Sequence, residues 1–135
     1  MSTERKLILT TRIPVRWGDM DAYGHVNNTV YFRYFEQARV EWLEMQGSRV
    51  SPDETVGPVI INASCTFYLP VNYPATVVVK MYGGEPGRTS LMTWYELFVE
   101  GDDRLFADGA AKTVWMDTRS GKSSPLPDTI REMFV

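Results

Sequence analysis

One strand, then one long helix, then four strands: this order predicts an α+β domain in which a single helix covers one face of a curved antiparallel sheet. Three observations carry the prediction. Only the segment around residues 31 to 45 has apolar residues at helical spacing. Beyond Pro58 the chain turns to runs rich in Val, Ile, Thr and aromatic residues. Short glycine-containing turns separate those runs, as antiparallel hairpins require. A length of 135 residues allows one core, so residues 1–135 are taken as one domain. With 44% hydrophobic and 23% charged residues, disorder, collagen and simple coiled coil are excluded.

The first strand is predicted from Leu7 to Trp17, where residues partly alternate. A polar loop follows, Gly18 to Asn28, with Asn27 or Asn28 suited to cap a helix. In the helix, Tyr31, Tyr34, Phe35, Ala38, Trp42 and Met45 recur every three or four residues and Gly47 ends the run. The strands predicted next are Val59 to Leu69, Thr76 to Tyr82, Ser90 to Val99 and Leu105 to Met116, as an antiparallel meander with turns at Gly83 to Gly87 and at Gly101 to Asp103. The tail, Asp128 to Phe134, is predicted as a short helix.

With 14 basic against 17 acidic residues the net charge is -3, which argues against a broad nucleic-acid surface. Cys65 is the one cysteine, so no intrachain disulfide can form, and a reducing compartment is expected. The charged residues before Leu7 lead into an alternating segment rather than an apolar run, so no signal peptide is expected and the cytoplasm is the expected location. Val56 to Val79 carries no charge, but Pro58, Asn62, Pro70, Asn72 and Pro74 interrupt it. Two buried strands are expected there, not a membrane span.

The densest polar constellation is Asp19, Asp21, His25, Asn27 and Asn28, between the first strand and the long helix. Unpaired N–H groups in a first helical turn carry partial positive charge and can polarise a carbonyl. A nearby carboxylate can attack that carbonyl or activate water. On spacing alone, turn capping is favoured over catalysis for Asp19 and Asp21, since turn and cap carboxylates are common. A calcium loop fails, because Tyr23 and Val30 stand where its fifth and twelfth positions need carboxyl or amide ligands. With one histidine in the chain no metal site is expected. His25 is open between a structural hydrogen bond and a general base. Cys65 reads as a buried inert thiol, and Tyr31 and Tyr34 read as core residues able to border a ligand cavity. Arg88, Arg104 and Lys112 are expected to be solvated unless a phosphate-bearing ligand uses one of them.

Val15 to Asn28, followed by Tyr31-Phe32 and Glu36-Gln37-Ala38-Arg39, resembles the hotdog-fold acyl-CoA thioesterases of the 4-hydroxybenzoyl-CoA thioesterase-like group. Phe67-Tyr68-Leu69-Pro70-Val71 agrees with a second segment of that group, and the likeness spans about residues 7 to 117. The resemblance implies a hotdog fold, one long central helix wrapped by a curved five-stranded antiparallel sheet. It implies homodimers or homotetramers with sheets joined edge to edge and active sites at the interface. Asp21 is implied as nucleophile or general base, with the Asn28 N–H polarising the thioester carbonyl. His25, Asn27, Tyr31, Ser64 and Arg88 are implied in substrate binding, Arg88 toward the coenzyme A phosphates. The loop lacks the Asn-Pro pair of hotdog hydratases, which makes hydration the lesser enzymatic option.

The expected activity is hydrolysis of a fatty or aromatic acyl-CoA to the free acid and coenzyme A, with no cofactor, metal, membrane or nucleic acid involved. The alternatives are hydrolysis of acyl carrier protein thioesters and a non-catalytic thioester-binding module.

Overall fold

The computed structural model describes residues 4–47 and 55–134. Strand β1 spans Lys6–Pro14, helix α1 Asn28–Met45, β2 Val56–Phe67, β3 Thr76–Gly84, β4 Ser90–Val99 and β5 Ala107–Asp117. A two-residue strand β6, Lys122–Ser123, and a short helix α2, Asp128–Glu132, complete the chain. All strand pairs are antiparallel, in the order β1-β3-β4-β5-β2, with β6 beside β5. The α+β fold with one long helix over an antiparallel sheet is as expected, and β6 adds a sixth strand.

Two expectations about the sheet are corrected. Only β3, β4 and β5 form a meander. Strand β2 pairs along its length with β5, from Val56 opposite Asp117 to Phe67 opposite Ala107. It is therefore an edge strand, and most of it is exposed rather than buried. An edge position explains Pro58, which sits within β2 opposite Trp115, since proline is tolerated where one side of a strand needs no ladder bond. The first strand also stops at Pro14, because the chain bends into a 3₁₀ turn at Trp17–Asp19.

Alternation sets the two faces of the sheet. Val77, Val79 and Met81 of β3, Leu91, Thr93, Tyr95 and Leu97 of β4, and Ala107, Ala111, Thr113 and Trp115 of β5 are buried. Helix α1 meets this face with Tyr31, Tyr34, Phe35, Ala38, Trp42 and Leu43. Leu43 takes the place expected of Met45, which is 66% exposed in the last turn. Phe35 stacks on Tyr95 with ring centroids 4.7 Å apart. The approach is close because β5 carries Gly109 there: a Cβ would stand 2.7 Å from Phe35 Cε2 and 2.7 Å from the Ser64 carbonyl oxygen.

Polar contacts tie the helices to the sheet. The Thr11 hydroxyl of β1 donates to Glu41 of α1 at 2.8 Å. Helix α2, which ends at Glu132 rather than Phe134, buries Ile130 and closes the far end of the sheet. Arg131 donates to the carbonyl oxygens of Gly87 and Arg88 at 2.9 and 3.0 Å. No helix among the described residues is long and apolar enough to cross a membrane.

Candidate active site

The loop between β1 and α1 is built around Asp19. Its carboxylate oxygen Oδ2 accepts the Arg16 N–H at 2.9 Å and the Tyr34 hydroxyl at 2.9 Å. The first contact closes the 3₁₀ turn and the second fixes the loop to the helix. Asp19 is buried, and the Arg16 guanidinium lies 3.8 Å from its other oxygen. Burial first, then the hydrogen bond to this carboxylate, holds the Tyr34 hydroxyl well above the usual tyrosine range. The Asp19 carbonyl also receives the Asn27 N–H at 2.9 Å. Asp19 is thus committed to structure from both its side chain and its backbone.

Asp21 is held differently. Met20 and Val26 form an isolated bridge, and the Asp21 N–H donates to the His25 carbonyl at 2.9 Å. Gly24, at φ +80°, turns the chain between them in a conformation that favours glycine. One oxygen of Asp21, Oδ1, accepts the Tyr23 N–H at 2.9 Å. Oδ2 has no partner among the described residues. The residue is half-buried, and the Tyr23 contact orients its carboxylate.

The helix starts two peptide units beyond the bridge. Asn27 is its cap, with Oδ1 accepting the Thr29 N–H at 3.0 Å, and the Asn27 carbonyl accepts the Val30 N–H at 2.9 Å. The Asn28 N–H is left as a first-turn donor with no acceptor among the described residues. At the end of an 18-residue helix it carries the positive end of the dipole.

The other predicted residues fall at three places. His25 is exposed in the same loop, with Nδ1 2.6 Å from the side-chain amide of Asn72, a residue not singled out from the sequence. Tyr31 is buried at the base of the loop, edge-on to Phe67 at 4.8 Å, and burial raises its pKa despite a hydrogen bond with the Val71 backbone. Cys65 lies nearby in β2, half-buried rather than buried as expected, and its thiol is pushed up to about 11 by burial and then by the Asp108 charge.

Ser64 and Arg88 do not join this group within one protomer. Ser64 pairs with Ala110 and faces the outer side of the sheet, in a groove of about 460 Å³ that it shares with Arg5, Trp94, Glu96 and Asp108. Arg88 sits in the turn after β3, whereas the Asp21 loop adjoins the chain before it; nine strand residues, about 30 Å, separate the two ends. Among the described residues no three His, Cys, Asp or Glu side chains cluster as a metal site.

The family model for the thioesterase-like superfamily matches residues 15–134. The long-chain acyl-CoA thioesterase FadM of Escherichia coli strain K12 is 25% identical over 129 residues, covering 92% of this chain and 95% of its own. Among solved structures, the PA2801 protein of Pseudomonas aeruginosa shares 44% identity at a TM-score of 0.91, covering 95% of this chain and 98% of its own. The BH1999 gentisyl-coenzyme A thioesterase shares 26% identity at a TM-score of 0.83, covering 94% of this chain and 100% of its own.

Proposed function

The chain belongs to the thioesterase-like superfamily, and from that premise we propose that it hydrolyses a fatty or aromatic acyl-CoA to the free acid and coenzyme A. The observation that carries the reading is the pairing in one loop of an oriented, half-buried carboxylate, Asp21, with the open N–H of Asn28 at a helix start.

In this mechanism the thioester carbonyl oxygen accepts the Asn28 N–H, which stabilises negative charge as the tetrahedral intermediate forms. Asp21 takes a proton from water, and the water oxygen bonds to the carbonyl carbon. Collapse of the intermediate breaks the C–S bond, and the departing thiolate of coenzyme A takes the proton that Asp21 removed from water, which restores the carboxylate. Half-exposure of Asp21 favours water activation over direct attack, because it leaves room for a water beside the free oxygen. Asn27 holds the helix start in place, while His25 and Tyr31 border the acyl and thioester groups. Ser64, on the outer face, does not line this loop within one protomer.

The site is proposed to lie at a boundary between two copies of the chain. Among the described residues strand β2 has one edge against β5 and the other unpaired, and it exposes Val59, Ile60, Ile61 and Phe67. A long apolar edge of this kind is a template for pairing with a second strand. Arg88, far from its own Asp21, would then reach the coenzyme A phosphates across that boundary. FadM acts on long-chain acyl-CoA and BH1999 on gentisyl-coenzyme A, so both fatty and aromatic substrates belong in the test.

Thiol release from short, medium, long and aromatic acyl-CoAs, read with a chromogenic thiol reagent, tests the proposal. Release from at least one is expected. No release from any acyl-CoA would overturn it and move the search to acyl carrier protein thioesters or to a binding module.

A further inference from the structure

Asn72 belongs to the chain between β2 and β3, and its neighbour Val71 accepts the Val26 N–H at 2.8 Å. This contact docks the Asn72 segment against the loop that carries Asp21. One end of the Asn72 amide faces Gly24 O at 3.1 Å, Val71 O at 3.3 Å and His25 Nδ1 at 2.6 Å. Two of these three atoms are carbonyl oxygens, which only accept, so the amide nitrogen occupies that end. One of its N–H groups serves the carbonyls and the other points to the ring. His25 Nδ1 must then present a lone pair, and the proton of the neutral ring sits on Nε2.

We propose that Asn72 is a positioning residue that fixes His25 as the Nε2–H tautomer, giving the Asp21 loop a side-chain hydrogen-bond donor for the substrate. The ring is coupled to the carboxylate through the backbone, since the His25 carbonyl accepts the Asp21 N–H at 2.9 Å. The tautomer follows from the contacts alone; only the use of Nε2–H toward a thioester rests on the proposed function.

The chain has one histidine, so a long-range proton–nitrogen spectrum of ¹⁵N-labelled protein reports this ring alone. At a pH where the ring is neutral, the native protein is expected to show the Nε2–H pattern. Asn72→Asp replaces the donor with an acceptor and should move the proton to Nδ1, and Asn72→Ala should give a mixture. In turnover, Asn72→Ala should lower kcat about tenfold with KM held. A native spectrum with the proton on Nδ1 overturns the proposal whether or not either variant folds. A tautomer that changes while kcat and KM stay native overturns the positioning role. Lack of turnover in the native protein, with the Nε2–H pattern present, would instead overturn the thioesterase reading and with it the use of this donor.

Discussion

Asp19 and Asp21 stand two residues apart in one motif, yet the fold gives them opposite tasks. Spacing could not separate them, because what separates them is Tyr34, fifteen residues beyond Asp19 on the helix, whose hydroxyl bonds only Asp19. Asp19→Asn should therefore cost stability, roughly 1–3 kcal/mol, because a buried acceptor of two hydrogen bonds is replaced by a group that can satisfy them less well. Urea denaturation measures this; an unchanged midpoint would remove Asp19 from its structural role. Asn28 allows a sharper test than side-chain removal. The first helical position accepts proline, which lacks the N–H, and Asn27 at φ -61° and ψ 138° already has the conformation that precedes proline. Asn28→Pro should keep the helix by circular dichroism and lose about 10²- to 10³-fold in kcat. Asn28→Ala, which keeps the N–H, should stay near native turnover. The polar loop was legible in the sequence, its cap only as Asn27 or Asn28, and the Asn28 donor only through the family resemblance. Asn72 was not, because its contact with His25 joins residues 47 apart and no local pattern announces it.

At the level of elements, the helix was the most legible part. Tyr31, Tyr34, Phe35, Ala38 and Trp42 keep helical spacing and are buried as that spacing demands. Met45 departs from that pattern: it is exposed, and Leu43 is buried in its place. Strand existence was legible from composition, but the position of β2 was not. Its partner β5 lies some 50 residues on, from Ile60 to Thr113 for example, and pairing at that distance leaves no periodic signature. The seam between β2, β5 and the helix is tightest at Gly109. Gly109→Ala should destabilise the protein by about 1–3 kcal/mol, since the Ser64 carbonyl that its methyl group meets is backbone and cannot swing aside. Thermal unfolding checks this, and an unchanged midpoint would mean that the helix and sheet are looser than their contacts show.

Among the described residues the sheet ends in two strands with one unpaired edge each, β1 and β2, and the proposed site needs a second copy, taken at β2, to reach Arg88. Light scattering should give a mass two or four times that of one chain. Ile61, at the bulge in β2, is 56% exposed and has no register partner in β5. Ile61→Lys places a charge on that edge, as natural edge strands do to prevent pairing. It should lower the mass and the turnover together while leaving the circular dichroism spectrum unchanged. Native turnover in a monomer would contradict a site shared between copies.

The central claim is that Asp21 performs the chemistry at the helix start. The most direct measurement is kcat for thiol release by Asp21→Asn beside the native protein, on whichever acyl-CoA the native protein hydrolyses fastest. The two side chains are nearly isosteric, so fold and substrate binding should persist. Turnover should fall about 10²- to 10⁴-fold. Native-like turnover in a folded Asp21→Asn protein would contradict the account.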